Sequence, residues 1–105
     1  MANSLDDRRK GFESKWAHDE QSRFKVMARR NKLLGLWVAG EMGITGEAAA
    51  DYAKTVVASD FEEAGDEDVF RKVAKDLVGR DADIRKKMDE LLHTAGEQIE
   101  KEAGR

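Results

Sequence analysis

An all-α fold, a compact four-helix bundle with a flexible, latent-helical N-terminal arm, is predicted by three observations. The chain holds no proline, its apolar residues recur at intervals of three and four rather than two, and glycines fall where that periodicity breaks. With 105 residues and 40% hydrophobic content, it can build one modest core and not two ordinary domains. The expected division is an arm over residues 1–17 and a four-helix domain over residues 18–105.

The first helix is expected from about His18 to Met42. Phe24, Met27, Leu34 and Val38 make one face, and Leu33, Leu36 and Trp37 widen it until the C-terminal half needs neighbours on most sides. Gly43 ends this helix as a C′ glycine. Thr45 is the N-cap of a second helix, with Glu47 near the positive end of the macrodipole and Ala48 leaving the capping box incomplete. Ala49, Tyr52, Ala53, Val56, Val57 and Phe61 line its inner side, and Gly65 is its stop.

Asp66 caps a short third helix that starts with Glu67 and Asp68, turns Val69, Phe70, Val73, Ala74 and Leu77 inward, and ends at Gly79. Asp81 or Asp83 caps the last helix, where Ile84, Met88, Leu91, Leu92, Ala95 and Ile99 repeat at helical spacing. Connections of a few residues favour antiparallel neighbours.

The arm follows a different pattern. Leu5, Phe12 and Trp16 stand at helical spacings, but Gly11 interrupts them and charge is dense. An isolated helix shorter than about 12–15 residues is marginal in water, so the arm is expected to become helical only against a partner. Trp16 fits either this arm or a backward extension of the first helix into the core, and both placements stay open.

Charge is unevenly divided. Residues 1–32 carry nine Lys/Arg against five Asp/Glu, and residues 33–105 carry ten against seventeen. A basic arm on an acidic body points to a partner surface. Arg23, Lys25, Arg29, Arg30 and Lys32 could neutralise phosphates, yet a net charge of −3 and a pI near 5.4 argue against a dedicated nucleic-acid module. These cations could equally pair with the acidic turn of the same chain, where Asp60, Glu62, Glu63, Asp66, Glu67 and Asp68 crowd together.

Catalytic and metal motifs do not form. Gly35 and Gly40 have the spacing of the outer P-loop glycines, but Glu41 and Met42 stand where phosphate binding needs Lys and Ser/Thr. His18 and His93 each lack a second histidine at helical spacing, and the acidic turn lacks the calcium-loop pattern. With no cysteine there is no disulfide or thiolate site, and no nucleophile, base and orienting group can be assembled from spacing, so an enzyme is not expected. The longest apolar run, Leu33 to Gly40, falls well short of the roughly 20 residues a membrane-spanning helix needs. The N-terminus lacks the apolar region of a secretory signal. A cytoplasmic protein without membrane insertion is the expectation.

Several blocks in order carry a family resemblance: WAHDE from Trp16 to Glu20, Arg23-Phe24-Lys25, ARRNKLLGLW from Ala28 to Trp37, DFEEAGDEDVFRKV from Asp60 to Val73, and MDELL from Met88 to Leu92. Together they resemble the alphaproteobacterial zeta subunit of the F-type ATP synthase, an inhibitor of ATP hydrolysis, over nearly the whole length. The resemblance implies a four-helix bundle whose N-terminal segment inserts at a catalytic α/β interface near the γ shaft and blocks hydrolytic rotation. On this chain Leu5, Phe12 and Trp16 would be the apolar anchors, and Arg8, Arg9 and Lys10 would face acidic subunit surfaces. His18, Arg23, Phe24, Arg29 and Arg30 complete the expected partner surface.

The implied partners are the synthase α, β and γ subunits, met by a chain that is monomeric when free and peripheral to the membrane-bound complex. No cofactor is required, and weak adenine-nucleotide binding is implied by the resemblance alone. The alternatives are a helical nucleic-acid-associated protein using the basic face of the first helix, or a family member with a different regulatory protein partner.

Overall fold

The computed structural model describes residues 20–61 and 66–103, and among them every regular element is helical. Four α-helices follow in order: α1 (Glu20–Glu41), α2 (Gly46–Ala58), α3 (Glu67–Asp76) and α4 (Asp81–Glu102), with a 3-10 turn, Ser59–Phe61, after α2. Four helices were predicted, and the principal differences lie at their ends.

Glycine chemistry closes α1 as expected. Gly43 adopts φ +77°, its N–H donates to the Gly40 carbonyl, and the Ile44 N–H reaches back to Ala39. This pair of bonds is the Schellman arrangement, which a side chain at Gly43 would strain. Thr45 takes the N-cap position of α2 in extended backbone, but its hydroxyl makes no capping bond.

The expected stop at Gly65 lies outside the described residues; α2 ends earlier, at Ala58. Ser59 explains the early end. Its hydroxyl donates to the Val56 carbonyl at 2.6 Å, and its backbone N–H is shared among the carbonyls of Thr55, Val56 and Val57. The chain therefore tightens into a 3-10 turn instead of continuing. Asp66 precedes α3 at the cap position without a side-chain capping bond, because its carboxylate is engaged by Arg30. Arg80, rather than Asp81 or Asp83, occupies the cap position of α4. The two aspartates sit in its first turn, where the macrodipole favours them.

Helix directions follow from the cross-contacts. Asn31 meets Asp60 while Gly35 meets Ala53, so α2 runs antiparallel to α1. Arg29 meets Gln98 and Glu102 while Glu41 meets Arg80, so α4 also runs back along α1. The main core lies between the helices. Leu34 and Val38 of α1, Val56 of α2, Val69 and Val73 of α3 and Ile84 of α4 are fully enclosed, and Leu77 and Met88 join them. A smaller seam of Val26 and Ala95 lies between α1 and α4, flanked by Leu33, Leu92 and Ile99.

Two apolar expectations change. Phe24, expected on the inner face, is 62% exposed: Asn31 already reaches the end of the α2 segment, so among the described residues α2 does not extend to the ring two turns earlier. Leu36 lies on the outer side of α1, whereas Arg30 and Asn31 take inner positions between Val26 and Leu34. Trp37 and Phe70 do pack against the main core, each partly buried. Arg85 lies 3.6 Å from the Phe70 ring centroid, and Lys87 is 5.6 Å from that of Trp37. The Phe61 side chain, expected on the inner side of α2, lies outside the described residues.

Candidate interaction surface

Of the side chains expected to meet a partner, Leu5, Arg8, Arg9, Lys10, Phe12, Trp16 and His18 lie outside the described residues. Arg23, Phe24, Arg29 and Arg30 lie on α1, and the structure divides them. Arg23 and Phe24 are exposed near the start of the helix. Arg29 and Arg30 turn toward their own chain.

Arg30 is 1% exposed. Its guanidinium donates to both Asp66 oxygens, at 2.7 and 3.4 Å, and its Nε donates to Asn31 Oδ1 at 2.7 Å. Asn31 passes the connection on, donating from Nδ2 to Asp60 at 3.0 Å. Two consecutive polar residues of α1 thereby hold the chain on both sides of the α2–α3 connection. A buried guanidinium needs this kind of bidentate partner, because its desolvation is otherwise uncompensated. The cationic face thus pairs with the acidic turn of the same chain at Arg30, and this side chain is enclosed instead of presented.

Asp60 feels the cluster most. Burial pushes its carboxyl above the ordinary range, and the charges of Asp68 and Asp66 add to that push; the Asn31 hydrogen bond and Arg30 oppose it. Arg29 sits on the other flank of α1, donating to Gln98 at 2.8 Å and Glu102 at 2.9 Å. The hydrogen bond from Arg29 holds the Glu102 carboxyl below its usual range. With Arg29 and Arg30 engaged, the exposed cations left along α1 are Arg23, Lys25 and Lys32.

The other polar contacts brace the bundle. Tyr52 donates to Asp76 at 2.7 Å, and Lys72 donates to the same carboxylate. Burial and the neighbouring Asp76 together keep the phenol protonated well beyond its ordinary range. Gly35 and Gly40, the P-loop-like pair, lie inside α1, where helical hydrogen bonding leaves no phosphate cradle. A methyl built on Gly35 would sit 2.6 Å from the Ala53 Cα; this glycine exists for helix contact. Sequence periodicity missed Asn31 because it counted only apolar residues, although the adjacent polar pair interrupting α1's inner stripe was a usable signal.

The family model described as ATPase inhibitor subunit zeta matches residues 1–98. The chain belongs to that family. A protein whose structure was determined by solution NMR is 51% identical to this zeta-family chain, with a TM-score of 0.72; the match covers 76% of this chain and 96% of the other. No curated protein matches. Family membership supports an ATP synthase inhibitor role for the zeta-family chain. Among the described residues no helix is long and apolar enough to cross a membrane.

Proposed function

We propose that this zeta-family chain inhibits ATP hydrolysis by the F-type ATP synthase, inserting its N-terminal segment at a catalytic α/β interface near the γ shaft so that hydrolytic rotation is blocked. The observation that carries the reading is the extent of the family match, which begins at residue 1 and so takes in the arm as well as the bundle. The bundle's geometry supports the same division of labour. Arg29 and Arg30 are engaged within the fold, while Arg23 and Phe24 stand exposed close to the root of the arm.

In this reading Leu5, Phe12 and Trp16 are the apolar anchors, and their burial offsets the ordering of the arm. Arg8, Arg9 and Lys10 steer it toward acidic subunit surfaces. His18, Arg23 and Phe24 extend the contact onto α1. The partners are the α, β and γ subunits, with the free chain monomeric and peripheral to the complex on its cytoplasmic side. No cofactor enters the blocking step, and any adenine-nucleotide binding is weak and auxiliary.

The test is ATP hydrolysis by the cognate synthase titrated with the intact chain and with a variant lacking residues 1–14, with circular dichroism on both. The truncated protein should keep its helical signal and lose most inhibition. Equal inhibition by the two would remove the arm from the mechanism. Charge reversal at Arg8, Arg9 and Lys10 should mainly slow association, with an effect that shrinks at high salt.

A further inference from the structure

We propose that Arg29, Arg30 and Asn31 are positioning residues for the inhibitory contact: as three consecutive links from α1 to the rest of the bundle, they set the direction in which Arg23 and Phe24 face the synthase. This rests on the inhibitor reading above and adds to it the part of the fold that aims the root of the arm.

Apolar burial alone does not fix this part of α1. From Glu20 to Asn31 the enclosed residues are Val26, Arg30 and Asn31, whereas the rest of the helix encloses Leu34, Gly35, Val38 and Ala39. Val26 belongs to the small seam with Ala95. Apolar contact is non-directional, so a valine against an alanine sets how closely α1 lies on α4 more than how it is turned about its own axis. Hydrogen bonds weaken steeply as they bend, and a guanidinium presents its donors in a rigid fork. Direction at this point of the helix therefore comes from its polar side chains.

The three links go to three different places. Arg29 reaches Gln98 and Glu102 of α4, Arg30 reaches Asp66 ahead of α3, and Asn31 reaches Asp60 after α2. Successive residues of an α-helix diverge by about 100°, so the set holds α1 from three sides at one level, and the bond from Arg30 to Asn31 ties two of the links together. An enclosed guanidinium paired with a carboxylate is seldom more stabilising than apolar side chains of similar volume; what an apolar pair would lack is the directionality.

Helical periodicity carries that direction to the exposed residues. Phe24 precedes Asn31 by seven positions, and Arg23 precedes Arg30 by the same interval, which is about two turns and returns to nearly the same side of the helix. Turning Arg30 and Asn31 toward the α2–α3 connection thus turns Arg23 and Phe24 to that side of α1 as well, where the Phe24 ring is 62% exposed.

The experiment is a double-mutant cycle on the intact chain. ATP hydrolysis by the F-type synthase is titrated with the parent, with Phe24→Ala, with Arg30→Met/Asp66→Asn, which removes the ion pair without leaving a buried charge, and with all three changes together; circular dichroism follows the fold of each. Phe24→Ala should weaken inhibition about tenfold in the parent, as an anchor ring does, and less than about twofold in the unlinked background, because a ring no longer aimed has little left to lose. Arg29→Gln repeats the cycle at the link whose side chain is 27% exposed, so the test stands even where the enclosed pair is needed for folding. A purely structural role would make the losses additive. Equal loss from Phe24→Ala with and without the links, or no loss in the parent, would overturn the proposal and leave the inhibitor reading intact. Residual dipolar couplings of the α1 amides ahead of Val26 give a readout without the enzyme: they should change relative to those of α4 when the links are removed, and identical couplings would also overturn the proposal. Failure of the parent chain to inhibit would overturn the inhibitor reading itself, while the couplings still report whether the links aim the helix.

Discussion

Replacing Gly35 by alanine tests the closest approach in the bundle. The added methyl would lie 2.6 Å from the Ala53 Cα, 3.0 Å from its Cβ and 3.2 Å from Val56 Cγ2. Carbon atoms prefer about 3.5–4.0 Å, so α1 and α2 must part by about 1 Å. Neither neighbour is a flexible tip: one is backbone and the others belong to short, enclosed side chains. Overpacking of this kind costs about 1–3 kcal/mol, and Ala restores about 1 kcal/mol of helix propensity relative to Gly. The net expectation is a loss of about 0–2 kcal/mol. Gly40 supplies the internal control, since it is in the same helix and exposed with nothing within 4 Å of an added methyl. Gly40→Ala should stabilise by about 0.5–1 kcal/mol from propensity alone. Because the propensity gain is common to both, the two variants should differ by the overpacking cost of about 1–3 kcal/mol, or roughly 5–20 °C in midpoint for a domain of this size. Urea unfolding of both, with equal m-values, measures the difference. If Gly35→Ala proves as stable as Gly40→Ala, the helices do not touch as described.

Other outcomes follow from the polar cluster. Asp66→Ala should cost about 1–3 kcal/mol in urea unfolding, below the about 3–5 kcal/mol of a fully buried pair, because the Asp66 side chain is 39% exposed. Adding Arg30→Met should recover part of that loss, since the double variant no longer buries an unpaired cation. Asp60 has a raised pKa in the folded state, so its contribution to stability is present at acidic pH and lost as pH rises through that value. Asp60→Asn, which fixes the uncharged form, should accordingly be more stable than the parent at neutral pH and converge with it in acid. Stability of the two proteins diverging instead toward low pH would refute the assignment.

Much of the fold was legible because it rests on repeated signals. Leu34, Val38, Val56, Val69, Val73, Ile84 and Met88 repeat at helical spacing, and all are buried; Gly43 and Gly79 both adopt positive φ. The differences have a common cause, which is that tertiary partners decide what local rules leave open. Phe24 has the right character for a core residue but stands exposed, two turns before the point where α1 meets the end of the α2 segment. Ser59 ends α2 through its own hydroxyl, and the Asp66 carboxylate is drawn to Arg30 instead of capping α3. At the candidate surface, composition found the cations of α1 without distinguishing those that Asp66 and Glu102 would claim. Of the partner-binding residues expected from the sequence, Arg23 and Phe24 stand exposed, and Leu5 through His18 lie outside the described residues.

The bridges from Arg29 to Gln98 and Glu102 join residues 69 and 73 positions apart, nearly spanning the described chain. Contacts this remote in sequence impose a large loop-closure entropy, and they form only after the segments between them are confined. They also bring the beginning of the helical domain to its end. The Arg29 turn of α1 is consequently moored to the last turns of α4, so fraying at the end of α4 would loosen α1 on that side. In this topology the Arg29 turn of α1 and the last turns of α4 behave as one mechanical unit, and removing either partner is felt at the other.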